Sequence, residues 1–132
     1  MPTEFFMPMK KVPTITHQQK QVAVVNGKPV FYEPEELKAA RAKLMAHLGQ
    51  HTPVRAYIGP IRLTVKWCFP LKGKHQDGEY KSTRPDNSNM QKLLEDCMED
   101  LRFYKDDAQI ASLIVEKFWA KLPGIYIKIQ EL

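Results

Sequence analysis

Cysteine is scarce in this 132-residue sequence, which contains only Cys68 and Cys97. The two form no Cys-x-x-Cys pair, and no histidine stands beside them at the spacing of a zinc site. A disulfide-stapled secreted fold and a structural zinc site are therefore both disfavoured. We expect two reduced, buried thiols in a cytoplasmic protein.

Long hydrophobic runs are also missing, because charged residues interrupt every long apolar stretch. The sequence therefore predicts no membrane-spanning helix and no membrane partner. The N-terminal segment carries its basic pair, Lys10-Lys11, after the apolar residues and has no small-residue cleavage site, which is unlike a secretory signal. His-Glu-x-x-His and glycine-rich phosphate-binding motifs are absent too, so we expect no small-molecule cofactor.

Charge is present in quantity but is unevenly distributed along the chain. Residues 1–82 contain 13 Lys/Arg against 6 Asp/Glu, whereas residues 83–132 contain 7 against 9. Seven of these acids fall within residues 86–107: Asp86, Glu95, Asp96, Glu99, Asp100, Asp106 and Asp107. A basic body around an acidic segment suits a protein that holds a polyanion and a cation together, but an unevenly charged solvated surface fits equally well.

The order of periodic segments predicts one mixed α+β domain over residues 1–132, with two main helices on a sheet. The predicted strands cover residues 4–9, Gln21–Val25, 29–32, 61–69, 111–119 and 125–129. Asn26-Gly27 marks a hairpin between the second and third strands. The helices are predicted from Pro34 to a stop at Gly49, and from about Asn89, with Ser88 or Asn89 as cap, to Arg102.

Residues 70–83 are polar, basic and glycine-bearing without a hydrophobic period, so we predict a mobile loop. Trp67 and Trp119 lie in strands on either side of it, and we expect both to belong to the core rather than to stack on nucleic-acid bases.

Four charged residues around the second helix could carry chemistry. Asp86 precedes the helix, Lys92 lies inside it, and Asp106 and Asp107 follow it. These groups converge only if the chain turns back, because a 14-residue helix spans about 21 Å. Carboxylates without Cys or His partners select Mg²⁺ or Mn²⁺, which activates water and neutralises charge during phosphodiester hydrolysis. A nearby lysine can hold the phosphate.

The same residues also have ordinary structural roles, and their pattern alone leaves the choice open. Asp86 can form an Asx turn, Lys92 can pair with Asp96 on the exposed helix face, and Asp106-Asp107 can be a polar turn. A restriction-type nuclease would need Asp/Glu-x-Lys downstream of Asp86, and the sequence has none.

Together, the two segments resemble the RusA family of Holliday junction resolvases. That family carries Asp-x-Asp-Asn-Leu-x-Lys in the first segment and Asp-Asp-x-Gln followed by Ile or Val in the second. Asp86, Asn89 and Lys92 match the first pattern, with Met90 at the leucine position. Residues 106–110 match the second pattern throughout.

The resemblance implies a RusA-like fold and a homodimer that binds four-way DNA junctions and nicks opposing strands symmetrically. It implies that Asp86 and Asp107 bind Mg²⁺, for which Mn²⁺ can substitute, and that Lys92 is catalytic. Asp106 is a further candidate ligand. Because adjacent strand residues point to opposite faces, we expect only one of Asp106 and Asp107 to reach the metal directly, and the family match favours Asp107.

One departure from the family pattern is Ser88, which stands where the second aspartate would be. The rival interpretation is therefore a non-catalytic or weakly catalytic phage protein of the same fold that binds branched DNA. Either protein would use basic residues to hold phosphates. The candidates are Lys10, Lys11, Lys72, Lys74, Lys81 and Arg84, with Lys20 and Lys66 as further contacts.

Overall fold

The computed structural model describes residues 2–13, 21–32 and 34–132, and it has the predicted α+β architecture. Its strands are β1 (Thr3–Pro8), β2 (Gln21–Val25), β3 (Lys28–Tyr32), β4 (Ile61–Pro70), β5 (Ile110–Ala120) and β6 (Gly124–Glu131). Its helices are α1 (Glu35–Leu48) and α2 (Asn87–Asp100), and a 3₁₀ turn (Asp107–Gln109) precedes β5. Among the described residues, no helix has the length and apolar character needed to cross a membrane.

The main sheet has the strand order β1-β6-β4-β5. β5 runs parallel to β4, while β6 is antiparallel to both β4 and β1. β1 lies at an edge, where its one proline, Pro8, is tolerated because an edge strand needs fewer backbone donors. β2 and β3 form a separate hairpin in which Asn26 and Gly27 both have positive φ, 50° and 76°, as a two-residue type I′ turn requires.

The core lies between one face of this sheet and the two helices. Alternate residues of β4 are buried, as the predicted alternation requires, and Trp67 among them has no exposed surface. The Trp67 indole nitrogen donates to the side-chain oxygen of Gln91, at 3.1 Å, so the one buried polar side chain of α2 has a partner in the core. Both cysteines are free thiols, as expected, and Cys97 is buried in the same cluster. Cys68 is only half-buried, contrary to the prediction, because it lies on the face of β4 opposite the core.

The second helix begins two residues earlier than predicted. Asp86 is its N-cap residue in an extended conformation, so the prediction of Ser88 or Asn89 as cap is wrong. The helix ends at Asp100 rather than Arg102. Periodicity misplaced the start because the buried stripe begins only at Met90, so the polar residues before it carry no helical signal.

The segment predicted as a mobile loop is hydrogen-bonded along the end of β5. The Gly78 amide donates to the Trp119 carbonyl, the Trp119 amide to the Glu79 carbonyl, and the Lys81 amide to the Lys117 carbonyl, at 2.8–3.0 Å. These bonds join backbone groups, which explains why the side-chain pattern did not reveal them.

Candidate active site

Three carboxylates meet at the C-terminal end of α2. Oxygens of Glu99, Asp106 and Asp107 all lie within 4.8 Å of one another, and we call these residues the acidic cluster. Glu99 belongs to the last turns of the helix, and the two aspartates come after a short return of the chain. Two of the three aspartates predicted as metal ligands, Asp106 and Asp107, are therefore in the cluster, together with Glu99, which was not predicted as a ligand.

Backbone hydrogen bonds set the orientation of this cluster. Asp106 caps the 3₁₀ turn, because its side chain accepts from the Ala108 amide at 2.8 Å. One oxygen of Glu99 accepts from the Asp107 amide at 2.7 Å. Each carboxylate has a second oxygen, so these bonds fix the side chains without using all of their acceptor capacity.

Gln109, which is part of the second motif, holds the turn in place. Its side-chain oxygen accepts from the amides of Lys105 and Asp106, and its nitrogen donates to the carbonyls of Tyr57 and Gly59 at 2.9 and 3.0 Å. The turn that carries the aspartates is thereby tied to the segment before β4.

The 3₁₀ turn removes the geometric basis of the prediction that only one of the paired aspartates reaches a metal directly. That prediction assumed strand geometry, in which neighbours point to opposite faces. Asp106 and Asp107 instead precede β5, at the cap and first position of the turn, and both carboxylates reach the cluster.

The electrostatics of the cluster are suited to a cation. Burial raises the pKa of the Glu95 carboxyl, which lies one turn before Glu99. A hydrogen bond from the Gln91 amide lowers this pKa, and the negative charges of Asp107 and Asp96 raise it. Within residues 2–13, 21–32 and 34–132, no Lys or Arg lies within 4 Å of the cluster oxygens. Hard, negatively charged oxygens without sulfur or nitrogen ligands fit Mg²⁺ or Mn²⁺.

Asp86 lies at the other end of the same helix. Thirteen helical positions separate it from Glu99, which corresponds to about 20 Å along the axis. A single chain therefore does not bring Asp86 into the acidic cluster. Its exposed carboxylate makes no capping hydrogen bond. Ser88 is exposed in the first turn, and Lys92 is exposed near the middle of the helix.

Six of the eight predicted DNA-contacting residues lie at the end of the sheet where Asp86 is found. At this end β1, β4 and β5 finish and β6 begins. We call it the basic end; it carries Lys10, Lys11, Lys72, Lys74, Lys81 and Arg84. Lys66 lies on the sheet face opposite the core, and Lys20 lies outside the described residues.

Lys117 connects the basic end to the start of α2. Its ammonium donates to the carbonyls of Thr83 and Pro85, at 2.7 and 2.8 Å, and so positions the residues just before Asp86. Sequence reasoning missed both Lys117 and Glu99. The spacing of Glu95 and Glu99, one helical turn apart and followed by a short return to the aspartates, was the available signal for the latter.

Comparisons with known proteins agree with this arrangement. The family model described as endodeoxyribonuclease RusA matches residues 10–130. The chain is 34% identical over the full length of both chains to a Lactococcus phage r1t protein named crossover junction endodeoxyribonuclease rusA. It is 29% identical to the Bacillus subtilis (strain 168) protein YqaN, over 83% of this chain and 84% of that one. With a matching family model over nearly its whole length and the two motifs around α2, the chain belongs to the RusA family of endodeoxyribonucleases.

Proposed function

We propose that this protein resolves four-way DNA junctions by paired symmetric nicks, as a Mg²⁺-dependent homodimer. Its membership of an endodeoxyribonuclease family supports hydrolysis of DNA, and the name of the phage relative supports crossover junctions as the substrate. The acidic cluster supports a divalent cation of the Mg²⁺ or Mn²⁺ type. We further propose that it acts in the cytoplasm, where its DNA substrates are repaired or recombined.

The proposal of a dimer rests on the distance between the two motifs. Ligand distances near 2.1 Å require carboxylates that share one ion to lie within about 4–7 Å of each other. Asp86 and the acidic cluster are about 20 Å apart along α2. We propose that they meet between subunits, so that Asp86 of one chain completes the site that contains the partner's Asp107.

The free edge of β5 offers a surface for this arrangement. Leu113 and Ile114 are 46% and 42% exposed there, although each is a large apolar side chain. Among the described residues, Ile110 to Glu116 pair with β4 on one side and with no strand on the other. Antiparallel pairing of two β5 strands about a two-fold axis at Leu113 would set each acidic cluster beside the partner's Asp86 end.

The chain's own residues then have distinct tasks. A bound Mg²⁺ would supply charge neutralisation and an activated water at the phosphate. The bonds from Ala108 and Asp107 hold two carboxylates in orientation. We propose that Lys92, which is exposed on α2, contacts a phosphate oxygen. Two sites related by one axis match the symmetry of a four-way junction, which presents equivalent strands for paired nicking.

The second candidate is a weakly catalytic or non-catalytic protein that binds branched DNA. Ser88 favours it, because the loss of one carboxylate weakens a Mg²⁺ site. In this case the basic end would hold the junction arms through phosphate contacts alone.

Incubation of the protein with a synthetic four-way junction, with and without Mg²⁺, separates the two candidates. We expect nicks at symmetric positions on two opposing strands, only when Mg²⁺ or Mn²⁺ is present. A linear duplex of the same sequence is the matched control and should stay uncut. Tight junction binding without cleavage at any concentration of either ion would reject the nuclease and favour the binding protein.

A further inference from the structure

A cavity of about 680 Å³ opens at the basic end, and the proposed reaction gives it no role. Its volume is in the range of small-molecule pockets, about 300–1,000 Å³. Apolar and aromatic groups line much of it, and cationic side chains complete the lining. The lining residues are Phe69, Pro70, Leu71, Lys72, Lys81, Thr83, Arg84, Pro85 and Trp119.

Among the residues that the structure describes, none provides an acidic partner within 4 Å for the cations of this cavity. No carboxylate belongs to the lining, and no ion pair within 4 Å joins Lys72, Lys81 or Arg84 to an acid in the part of the chain that the structure describes. Burial lowers the pKa of the Lys81 ammonium, and the nearby Lys117 and Lys72 lower it further. The acid nearest along this loop is already occupied, because Glu79 pairs with His75. An anion at the cavity would relieve the repulsion among these cations.

The side chains of Lys81 and His75 pack against the aromatic wall of the cavity. The Lys81 ammonium lies 4.0 Å from the centre of the Trp119 ring and 5.5 Å from that of Phe69. The other face of Trp119 stacks on His75, with ring centres 4.2 Å apart and planes 10° apart. Lys81 is held there by a cation–π contact and a hydrogen bond to Thr83, so its side chain can move aside without any change in the sheet.

We propose that this cavity is a subsite for one unstacked nucleotide of branched DNA. Its base replaces the Lys81 ammonium against Trp119 and Phe69, and its phosphate lies among Lys72, Lys81 and Arg84. An aromatic wall with cations beside it is the combination that binds single-stranded nucleotides without reading their sequence. The inference rests on the proposed function, because the centre of a junction supplies bases that are easily unstacked.

The position of the cavity gives the subsite a consequence for cleavage. Pro85 belongs to its lining, and Asp86 is the next residue. A nucleotide held here therefore lies beside the carboxylate that is proposed to complete the metal site. The subsite would fix which phosphate of the strand faces that site, and so determine the position of the nick relative to the branch point.

An abasic scan of a four-way junction tests the subsite. A single abasic nucleotide is moved one position at a time through the crossover of two opposing strands, and affinity is measured with Ca²⁺ in place of Mg²⁺ to prevent cleavage. We expect one position at which loss of the base weakens binding by about 5- to 100-fold, the range of a base–aromatic stack. If loss of the base changes the affinity by less than about twofold at every position, the subsite does not exist.

Variants assign that effect to the cavity. Trp119→Leu should remove the position-specific loss, so that abasic and intact junctions bind alike. Lys74→Ala is the matched control, because Lys74 belongs to the same loop but not to the cavity lining. Lys74→Ala should weaken binding to every junction by the same factor. The position-specific ratio, which is the affinity for the intact junction divided by that for the junction abasic at the sensitive position, should stay unchanged. A ratio that persists in Trp119→Leu would overturn the proposal.

A surface variant covers the case in which Trp119→Leu does not fold, since Trp119 is buried. Leu71 lines the cavity and is 37% exposed, so Leu71→Asp should fold and should repel a phosphate there. Leu132→Asp is its control, because Leu132 is 57% exposed at the opposite end of the sheet. We expect the position-specific ratio to fall to about one in Leu71→Asp only; the same ratio in both variants would reject the subsite.

Cleavage of the intact junction with Mg²⁺ is measured in parallel, which separates failure of the subsite from failure of the proposed function. Normal cleavage without any position-specific loss would reject the subsite alone. A position-specific loss without cleavage would support the subsite and reject junction resolution. Absence of junction binding would reject both.

Discussion

The two ends of α2 differ in charge, in exposure and in the kind of group that each can bind. At the C-terminal end, the acidic cluster gathers three carboxylates whose oxygens lie within 4.8 Å of one another. At the N-terminal end, Asp86 stands beside a cavity lined by Lys72, Lys81 and Arg84. The first end is suited to a cation and the second to a polyanion.

The separation of these ends bears on the proposed need for a second subunit. The acidic cluster repels the phosphates that the basic residues attract, so a chain that keeps this cluster about 20 Å along α2 from the basic end can bind DNA there without bringing those three carboxylates against the backbone. If Asp86 and the acidic cluster meet only between subunits, cleavage depends on the dimer. A lone subunit would then not cut DNA, and cutting would occur at two symmetric positions together.

The largest effect should come from Asp86→Asn. Asn is as good an N-cap as Asp, and Asp86 makes no capping bond, so the helix should keep its stability. Changes to groups that only orient a metal ligand already reduce metal affinity or activity about 10- to 100-fold. Loss of a direct ligand should therefore reduce junction nicking by more than about 100-fold, with binding unchanged or tighter. Asp100→Asn, an exposed change at the other end of the helix and outside the cluster, is the control and should nick normally. Normal nicking by Asp86→Asn would exclude Asp86 as a ligand.

Glu99→Gln tests the acidic end in a milder way. The amide oxygen can still accept the hydrogen bond from Asp107, so the turn should persist while one negative charge is lost. We expect Mn²⁺ to bind about 10- to 100-fold more weakly by isothermal titration calorimetry, with a similar rise in the metal needed for cleavage. Glu36→Gln, at an exposed site on α1, should change neither quantity. An unchanged Mn²⁺ affinity would show that Glu99 only orients Asp107.

Leu113→Lys tests whether the edge of β5 brings the two ends together. Two lysines would face each other at the proposed axis, and like charges at an interface cost several kcal/mol. We expect dimer association to weaken by more than about tenfold in sedimentation equilibrium, and cleavage at low protein concentration to fall with it. Leu122→Lys is the matched control and should leave the dimer intact, because Leu122 is 62% exposed in the turn after β5, away from the proposed axis. A dimer that survives Leu113→Lys would place the interface elsewhere.

The smallest effect concerns Ser88, the residue that departs from the family pattern. Ser88→Asp would add a carboxylate in the first turn of α2, where the helix dipole stabilises negative charge by about 0.3–1 kcal/mol. We expect a severalfold fall in the Mg²⁺ concentration for half-maximal cleavage and no loss of thermal stability. Lower cleavage at every Mg²⁺ concentration would mean that another acid, with Asp106 as the first candidate, already serves in that position.

The elements that face the core could be predicted from sequence because burial imposes a period on them. The alternation of apolar and polar residues in β4 indicates a sheet with one buried face. Asn26-Gly27 indicates a turn with two positive φ angles. The start of α2 could not be placed, because its first three residues are polar and its buried stripe begins only at Met90.

The candidate site was predictable only in part, since it combines a local motif with the path of the chain. The sequence identifies Asp106 and Asp107 through their resemblance to a known pattern. Glu99 joins the cluster because the chain turns back sharply after α2, which the sequence does not show. The 3₁₀ turn that brings both aspartates into the cluster is held by Gln109, which bonds to the segment before β4. The distance from Asp86 is a property of the folded helix, and it is what makes the second subunit necessary to the proposal.

Mixing two inactive variants is the most direct test of a site shared between subunits. Asp86→Asn and Asp107→Asn proteins are combined in equal amounts and allowed to exchange subunits, and nicking of a four-way junction is measured with Mg²⁺. If the sites are shared, each mixed dimer contains one intact site and one doubly altered site, so nicking should return to about one quarter of the parent level, on one strand per junction. If each site is built within one chain, every site in every dimer carries a substitution, and the mixture should remain as inactive as either variant alone.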